Sequence, residues 1–205
     1  MSTIQTGESF KTSAKEKDVR TSNMIAAKAI ADAVRTSLGP RGMDKMIQSE
    51  DGTVLVTNDG ATILSKMNVF HPAAKMLVGI SNAQDVEAGD GTTSVVVICG
   101  SLLKEAEKLL NKGIHPSVIS KAWGSAVFKS EELLEKIAMP VTLSNKDMLI
   151  QAARTSLSSK VISQYADTFA PIAVDSVLKV LGTEDSNDVD LRNIRIVTRV
   201  GGTMD

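Results

Sequence analysis

The spacing of apolar residues predicts that the chain is mainly helical. Beginning at Ser22, apolar side chains recur every three or four residues, at Ala27, Ile30, Ala31, Val34 and Leu38. This period places them along one face of a helix. Gly39-Pro40 follows and is typical of a helix end. The first predicted element is therefore an amphipathic helix that ends in a Leu-Gly-Pro turn.

The same reasoning predicts further helices. The first follows Asp59-Gly60. The others run from His71-Pro72 to about Gly89, from Thr92 to about Asn111, from Pro116 to Met139, from Lys146 to Leu157 and from Ile162 to Leu181. In the third of these, Val95 to Ile98 is apolar on all sides, which favours a central position in a helical layer. The fourth is predicted to turn an apolar face inward, with Ile119, Ala122, Trp123, Ala126, Leu133, Leu134 and Ile137.

Two short segments are predicted to be strands. Thr53–Thr57 is rich in β-branched residues and bounded by turn residues, so it favours a strand in a small hairpin; Ile194–Val200 is the second. The predicted fold class is mainly α with a small β-hairpin. Residues 1–21 are interpreted as a flexible arm, a domain boundary is placed near Ser144, and 182–190 is interpreted as an acidic loop. The final residues, 201–205, are turn formers, and this favours a truncated chain.

Charge and composition narrow the classes of partner. The 205 residues carry a formal net charge of −1 and only 3% aromatic residues, so we expect neither nucleic acid nor a membrane as partner. The N-terminus has no long apolar stretch, and the lone Cys99 excludes a disulfide framework. These observations favour a cytoplasmic location.

Two segments with a common plan carry the candidate chemistry. Asp59-Gly60 and Asp90-Gly91 each form an Asp-Gly turn that leads directly into a predicted helix. The first N–H groups of a helix are unpaired donors with a partial positive charge, so such turns suit phosphate oxygens. Thr92, Thr93 and Ser94 add hydroxyl donors, and the Asp90 carboxylate is the hard oxygen ligand that Mg²⁺ prefers.

A simpler interpretation stays open from the residues alone. Asp before Gly at a helix start is commonly an ordinary turn residue or an N-cap, and such a cap stabilises a helix by about 1 kcal/mol. The chain contains neither a P-loop nor a dinucleotide-binding glycine motif, so a nucleotide site here is of another kind. The spacing therefore leaves both nucleotide binding and simple capping as interpretations.

Three longer segments resemble the signature sequences of group II chaperonins. They occur in the family's order, at Arg35–Met46, Thr57–Leu64 and Gln84–Thr93, and the resemblance extends from about Ser22 to the last residue. Ser156–Tyr165 is most similar to the delta-type branch of the family. The resemblance implies the N-terminal part of an equatorial ATP-binding domain in 22–143, and the first segment of the α/β intermediate domain in 144–205.

The resemblance also implies roles for particular residues. Leu38, Gly39 and Pro40 would line ATP or ADP, and Asp90 would hold Mg²⁺. Gly91, Thr92, Thr93 and Ser94 would bind the phosphates. Asp59 and Gly60 would lie near the γ-phosphate, with Asp59 orienting the attacking water.

Members of this family are ATP-driven, ring-forming, hetero-oligomeric chaperonins. The resemblance therefore implies two kinds of partner, the other subunits of the ring and unfolded client proteins. Family members are much longer: an apical domain and a C-terminal return complete them, and neither occurs in this sequence. Hydrolysis is thus implied for the full-length subunit and left open for this chain alone. The alternative function is a separate helical interaction module with a vestigial nucleotide site.

Overall fold

The computed structural model describes residues 5–48, 52–160, 162–181 and 189–202, with side chains from residue 19 onward. Residues 1–4 of the predicted arm, most of the predicted acidic loop and residues 203–205 of the terminal turn lie outside the described residues. The chain divides into two compact units, Met1–Leu133 and Leu134–Asp205. The assignment of named domains to 22–143 and 144–205 stays a prediction.

Most described elements are helices, so the predicted fold class is confirmed. In chain order they are α1 (Gln5–Arg35), β1 (Lys45–Gln48), β2 (Val54–Thr57), α2 (Gly60–Lys66), α3 (Pro72–Ala88), α4 (Thr92–Asn111), α5 (Pro116–Ile137), α6 (Lys146–Leu157) and α7 (Ala166–Leu181). Two short 3₁₀ helices lie at Ser163–Tyr165 and Leu191–Asn193. Strands β1 and β2 pair antiparallel, with Met46 opposite Val56, which confirms the predicted hairpin. In the part of the chain that is described, no helix is long and apolar enough to cross a membrane.

The core of the first unit lies between α1, α2, α3 and α4. Its buried residues are Ala27, Ile30, Ala31, Val34, Ile63, Leu64, Ala74, Leu77 and Val96. Helices α1 and α4 approach so closely that a Cβ at Gly100 would collide with the Cβ of Ala31. The absence of a side chain at Gly100 allows this approach. A salt bridge of 2.6 Å between Lys28 Nζ and Glu107 Oε2 also joins them. This four-helix packing fixes the positions at which α2 and α4 begin.

The second unit is built on the packing of α6 against α7. Ala170 and Val174 of α7 are buried. Two ion pairs link the helices, one of 2.5 Å between Lys146 Nζ and Asp175 Oδ1, the other of 2.7 Å between Arg154 Nε and Asp167 Oδ1. Both pairs are exposed, so apolar packing contributes more to this contact.

Two of the predicted elements are wrong in extent or in kind. Helix α1 begins at Gln5, inside the segment interpreted as an arm, instead of near Ser22. Residues 5–21 contain no proline. A helix that is already formed by the packing of its later residues therefore extends through them at a small cost in free energy. Residues 194–200 form no strand, and Ile196 is 85% exposed. A strand needs a partner for its backbone groups, and the one sheet of the described residues contains only β1 and β2.

Two predictions of burial, for α4 and α5, are only partly confirmed. On α5, Ile119 is buried and Trp123 half-buried, but the other predicted positions are exposed, among them Leu134 at 60% and Ile137 at 73%. In α4, Val96 is buried but Ile98 is 58% exposed, so the helix is not covered on all sides. An amphipathic period identifies an apolar face, but burial also requires a neighbouring element.

Candidate functional site

The turn at Asp90-Gly91 leads into α4 and leaves the start of that helix without a side-chain cap. Gly91 is the N-cap residue, with φ 76° and ψ 12°, and in the described chain no side chain makes a cap hydrogen bond there. The Asp90 carboxylate instead accepts a hydrogen bond from Gly91 N at 2.8 Å through Oδ1. The first N–H groups of α4 therefore keep their partial positive charge for an anion.

The turn at Asp59-Gly60 leads into α2 and is closed by a cap. Asp59 Oδ2 accepts hydrogen bonds from Thr62 N at 2.9 Å and from Thr62 Oγ1 at 2.6 Å. Within the described residues, Asp59 Oδ1 has no hydrogen-bond partner. Asp59 is therefore the N-cap of α2, whereas Asp90 is a turn residue and not an N-cap.

The starts of α2 and α4 are in direct contact. A Cβ placed on Gly60 would collide with Thr93 Oγ1 and lie 2.9 Å from both Thr93 N and Thr93 Cα. Only glycine allows this approach, because any side chain would have to displace the backbone of α4. The two Asp-Gly turns, which are separated by about thirty residues of sequence, are thus brought side by side.

The predicted phosphate-binding residues differ in how accessible they are. Thr92 and Thr93 are 5% and 8% exposed, whereas Gly91 and Ser94 are half-buried and Asp90 is exposed. Thr93 directs its hydroxyl toward Gly60. Of the three predicted hydroxyl donors, Ser94 is therefore the most accessible to a ligand.

Leu38, Gly39 and Pro40 lie in a folded turn between α1 and β1 and are exposed. Gly39 has a φ of 87°, and its carbonyl oxygen accepts a hydrogen bond from Gly42 N at 2.9 Å. The contact between Gly60 and Thr93 does not involve this turn. The grouping of Leu38, Gly39 and Pro40 with the two Asp-Gly turns therefore stays a prediction.

A metal at Asp90 would have few protein ligands. Among the described residues, no group of three or more His, Cys, Asp or Glu side chains is placed to hold a metal ion. This donor set suits Mg²⁺, which binds through one or two carboxylates and substrate phosphates and keeps several waters. It does not suit a structural zinc site, which needs four protein ligands.

Sequence reasoning did not assign roles to two residues of α3 that contact the second turn. Gln84 Nε2 donates a hydrogen bond to Asp90 O, and Ser81 Oγ donates one to Thr92 O. Gln84 lies in one of the segments that carry the family resemblance, but its spacing to Asp90 alone indicates no contact. Asp90 follows the end of α3 by two residues, so the Gln84 contact is local to that helix end, whereas the packing of α3 against α4 brings Ser81 to Thr92.

Comparison with known proteins gives the class of this chain. Residues 30–205 match the model of the TCP-1/cpn60 chaperonin family. Because this match covers most of the sequence, the chain belongs to that family. The family resemblance inferred from the signature segments is thereby confirmed.

Among individual relatives, the chain is similar to several delta subunits of T-complex protein 1. It is 56% identical to the subunit of Ochlerotatus triseriatus over 97% of this chain and 37% of the relative. It is 53% identical to that of Saccharomyces cerevisiae over 98% of this chain and 38% of the relative, and 56% identical to that of Homo sapiens over 93% and 35%. The resemblance to the delta-type branch is confirmed, and the chain spans little more than a third of the length of these curated relatives.

Proposed function

We propose that this chain is the nucleotide-binding part of a chaperonin subunit that binds ATP or ADP together with Mg²⁺. Its partners would be the other subunits of a hetero-oligomeric ring, which assists the folding of client proteins in the cytoplasm. Family membership and the similarity to T-complex protein 1 delta subunits support this proposal. The observation that carries the site is the contact of Gly60 with Thr93, which joins the two Asp-Gly turns.

The second turn fits a magnesium–phosphate ligand in both charge and access. The uncapped N–H groups at the start of α4 are donors for phosphate oxygens, and the exposed Asp90 carboxylate beside them is an oxygen ligand for Mg²⁺. Residues Gly91 to Ser94 would bind the phosphates. An anion-binding helix end and a cation-binding carboxylate thus adjoin, which matches a ligand that carries both charges.

The first turn would hold the reacting end of the nucleotide. Asp59 is fixed by two hydrogen bonds through Oδ2, and Oδ1 is left as an acceptor. We propose that Oδ1 accepts a hydrogen bond from the attacking water and so orients it. Bound Mg²⁺ would neutralise charge on the phosphate oxygens. Phosphoryl transfer depends mostly on such positioning and charge neutralisation.

The exposed turn of Leu38, Gly39 and Pro40 would line the nucleotide. Its hydrogen bonds, Gly42 N to Gly39 O and Met43 N to Thr36 O, both 2.9 Å, hold the loop closed on itself. A loop with its own hydrogen bonds loses less entropy when a ligand binds. ATP hydrolysis is proposed for the whole subunit and not for this chain alone.

The proposal is tested by the affinity of the purified chain for ATP with and without Mg²⁺. We expect Mg²⁺ to strengthen binding, and Asp90→Ala to remove that gain. Glu87→Ala is the matched control, because Glu87 is an exposed carboxylate on the adjacent helix α3. Mutation of a residue that only supports a metal ligand lowers metal affinity by about 10- to 100-fold. Because Asp90 would be a ligand itself, we expect its loss to lower Mg²⁺ affinity by at least about 100-fold. Equal Mg²⁺ dependence in the Asp90→Ala variant would refute the metal assignment.

A second candidate is a helical interaction module with a vestigial nucleotide site. The exposed apolar residues of α5, such as Phe128 at 71% and Ile137 at 73%, favour this alternative, because exposed apolar patches mark protein contacts. Absence of ATP binding by a folded chain, in the presence of Mg²⁺, would support this second candidate and count against the first.

A further inference from the structure

Two side chains of α3 hold the backbone of the turn that precedes α4. Gln84 Nε2 donates a hydrogen bond of 3.0 Å to Asp90 O, and Ser81 Oγ donates one of 3.2 Å to Thr92 O. Ser81 and Gln84 are three residues apart, so they lie on the same face of their helix. The two accepting carbonyl groups lie on either side of Gly91.

The surroundings of both donors favour stable hydrogen bonds to the backbone of this turn. Ser81 is completely buried, and a buried hydroxyl that donates to a carbonyl is costly to remove. Gln84 is half-buried, and a Cβ on Gly91 would lie 3.6 Å from its Nε2 atom. The Gln84 amide therefore packs against Gly91, whose φ of 76° favours glycine.

These hydrogen bonds determine where the neighbouring N–H groups point. A trans peptide is planar, so its C=O and N–H point in opposite directions. When Gln84 holds Asp90 O toward α3, the N–H of Gly91 points away from α3 and binds Asp90 Oδ1 at 2.8 Å. In the described chain, Asp90 Oδ2 then has no hydrogen-bond partner. The orientation of the carboxylate thus depends on a side chain of α3, the helix that ends just before this turn.

We infer that Gln84 and Ser81 are positioning residues of the proposed nucleotide site. They hold Asp90, Gly91 and Thr92 in the geometry that presents the Asp90 carboxylate and the first N–H groups of α4 to a magnesium–nucleotide. Neither residue touches the ligand in this proposal. The inference rests on the proposed function, since a positioning role needs a site to position.

The test replaces the donor of Gln84 and keeps the length of the side chain. Gln84→Met is compared with Glu87→Met, which introduces the same side chain at an exposed position of α3. The dissociation constant of Mg–ADP and that of ADP without Mg²⁺ are measured by calorimetry. Amide hydrogen exchange is measured for residues 91–94 and for α1.

We expect Gln84→Met to weaken Mg–ADP binding by about 5- to 10-fold, which corresponds to the usual free energy of one hydrogen bond. Glu87→Met should leave the affinity unchanged. The ratio of affinities with and without Mg²⁺ should fall, because the Asp90 carboxylate is no longer held. A purely structural role would weaken both affinities equally. Exchange should become faster in 91–94 but not in α1.

The outcomes separate the inference from the proposed function. If the unaltered chain binds no Mg–ADP, the proposed function fails and the positioning role fails with it. If the unaltered chain binds Mg–ADP and Gln84→Met binds it equally well, the inference alone is overturned. Ser81→Ala is the second variant, and faster exchange in 91–94 together with weaker Mg–ADP binding would support the same role for Ser81.

Discussion

The two Asp-Gly turns of this chain have the same sequence plan but differ in which residue caps the helix. At the start of α2, Asp59 is the N-cap and its carboxylate binds Thr62. At the start of α4, Gly91 is the N-cap, and the carboxylate of the preceding Asp90 accepts a hydrogen bond from Gly91 N. A shift of one residue in the helix start therefore gives one aspartate a structural role and leaves the other exposed.

The difference gives two similar segments different physical properties. The α2 turn is rigid, since Asp59 is hydrogen-bonded and Gly60 is pressed against Thr93. The α4 turn presents unpaired donors and an exposed carboxylate, which are groups that a charged ligand binds. We therefore expect substitutions in the first turn to change stability, and substitutions of Asp90 to change ligand binding.

The largest stability effect is expected for Gly60→Ala. The added methyl group collides with Thr93, including its backbone, so α2 and α4 must move apart. Overpacking of this kind costs about 1–3 kcal/mol of unfolding free energy. Urea denaturation followed by circular dichroism measures it. A variant as stable as the unaltered chain would show that the two helix starts are not in contact.

A smaller effect is expected for the cap of α2. Asp59→Ala removes the acceptor for Thr62 N and Thr62 Oγ1, and loss of an N-cap costs about 1 kcal/mol. The matched variant, Asp90→Ala, should change the free energy of unfolding by less than about 0.5 kcal/mol, because Asp90 is exposed and caps nothing. Equal losses for the two variants would contradict the division between the turns.

The smallest effect, and one of opposite sign, is expected for Gly79→Ala. Gly79 lies within α3, and no described atom lies within 4 Å of a Cβ placed there. Alanine in a helix reduces the entropy of the unfolded chain, so we expect a gain of about 0.4–1 kcal/mol. Thermal unfolding of Gly79→Ala beside Gly60→Ala compares one chemical change in two surroundings. A loss of stability at Gly79 would weaken the steric explanation for Gly60.

Local signals explain which elements could be predicted from the sequence. Pro72 opens α3 and Gly89, with φ 67°, closes it, so both limits follow from residues that restrict or relax the backbone. The limits of α6, Lys146–Leu157, agree with the periodic pattern. The predicted strand at 194–200 failed because pairing depends on a second segment, which no local pattern reports.

The candidate site also has features that the sequence predicts and features that depend on packing. Its residue types were visible in the sequence: two aspartates before glycine, and a run of hydroxyl groups after Gly91. The roles of Ser81 and Gln84 were not visible, since Ser81 donates to a carbonyl group of α4 and Gln84 to one in the turn before α4. The accessibility of Ser94 relative to Thr93 also depends on how α2 packs.

Periodicity, prolines, glycines and signature segments are local properties, and they are sufficient to predict the helical class of this chain, most of its helix limits and its family. The packing of the helices sets which aspartate caps a helix, which apolar faces are buried and which helix contacts the turn before α4. Those features depend on contacts between residues far apart in the chain, such as Gly60 with Thr93 and Gly100 with Ala31. Such contacts exist only once α1, α3 and α4 have packed around their common core.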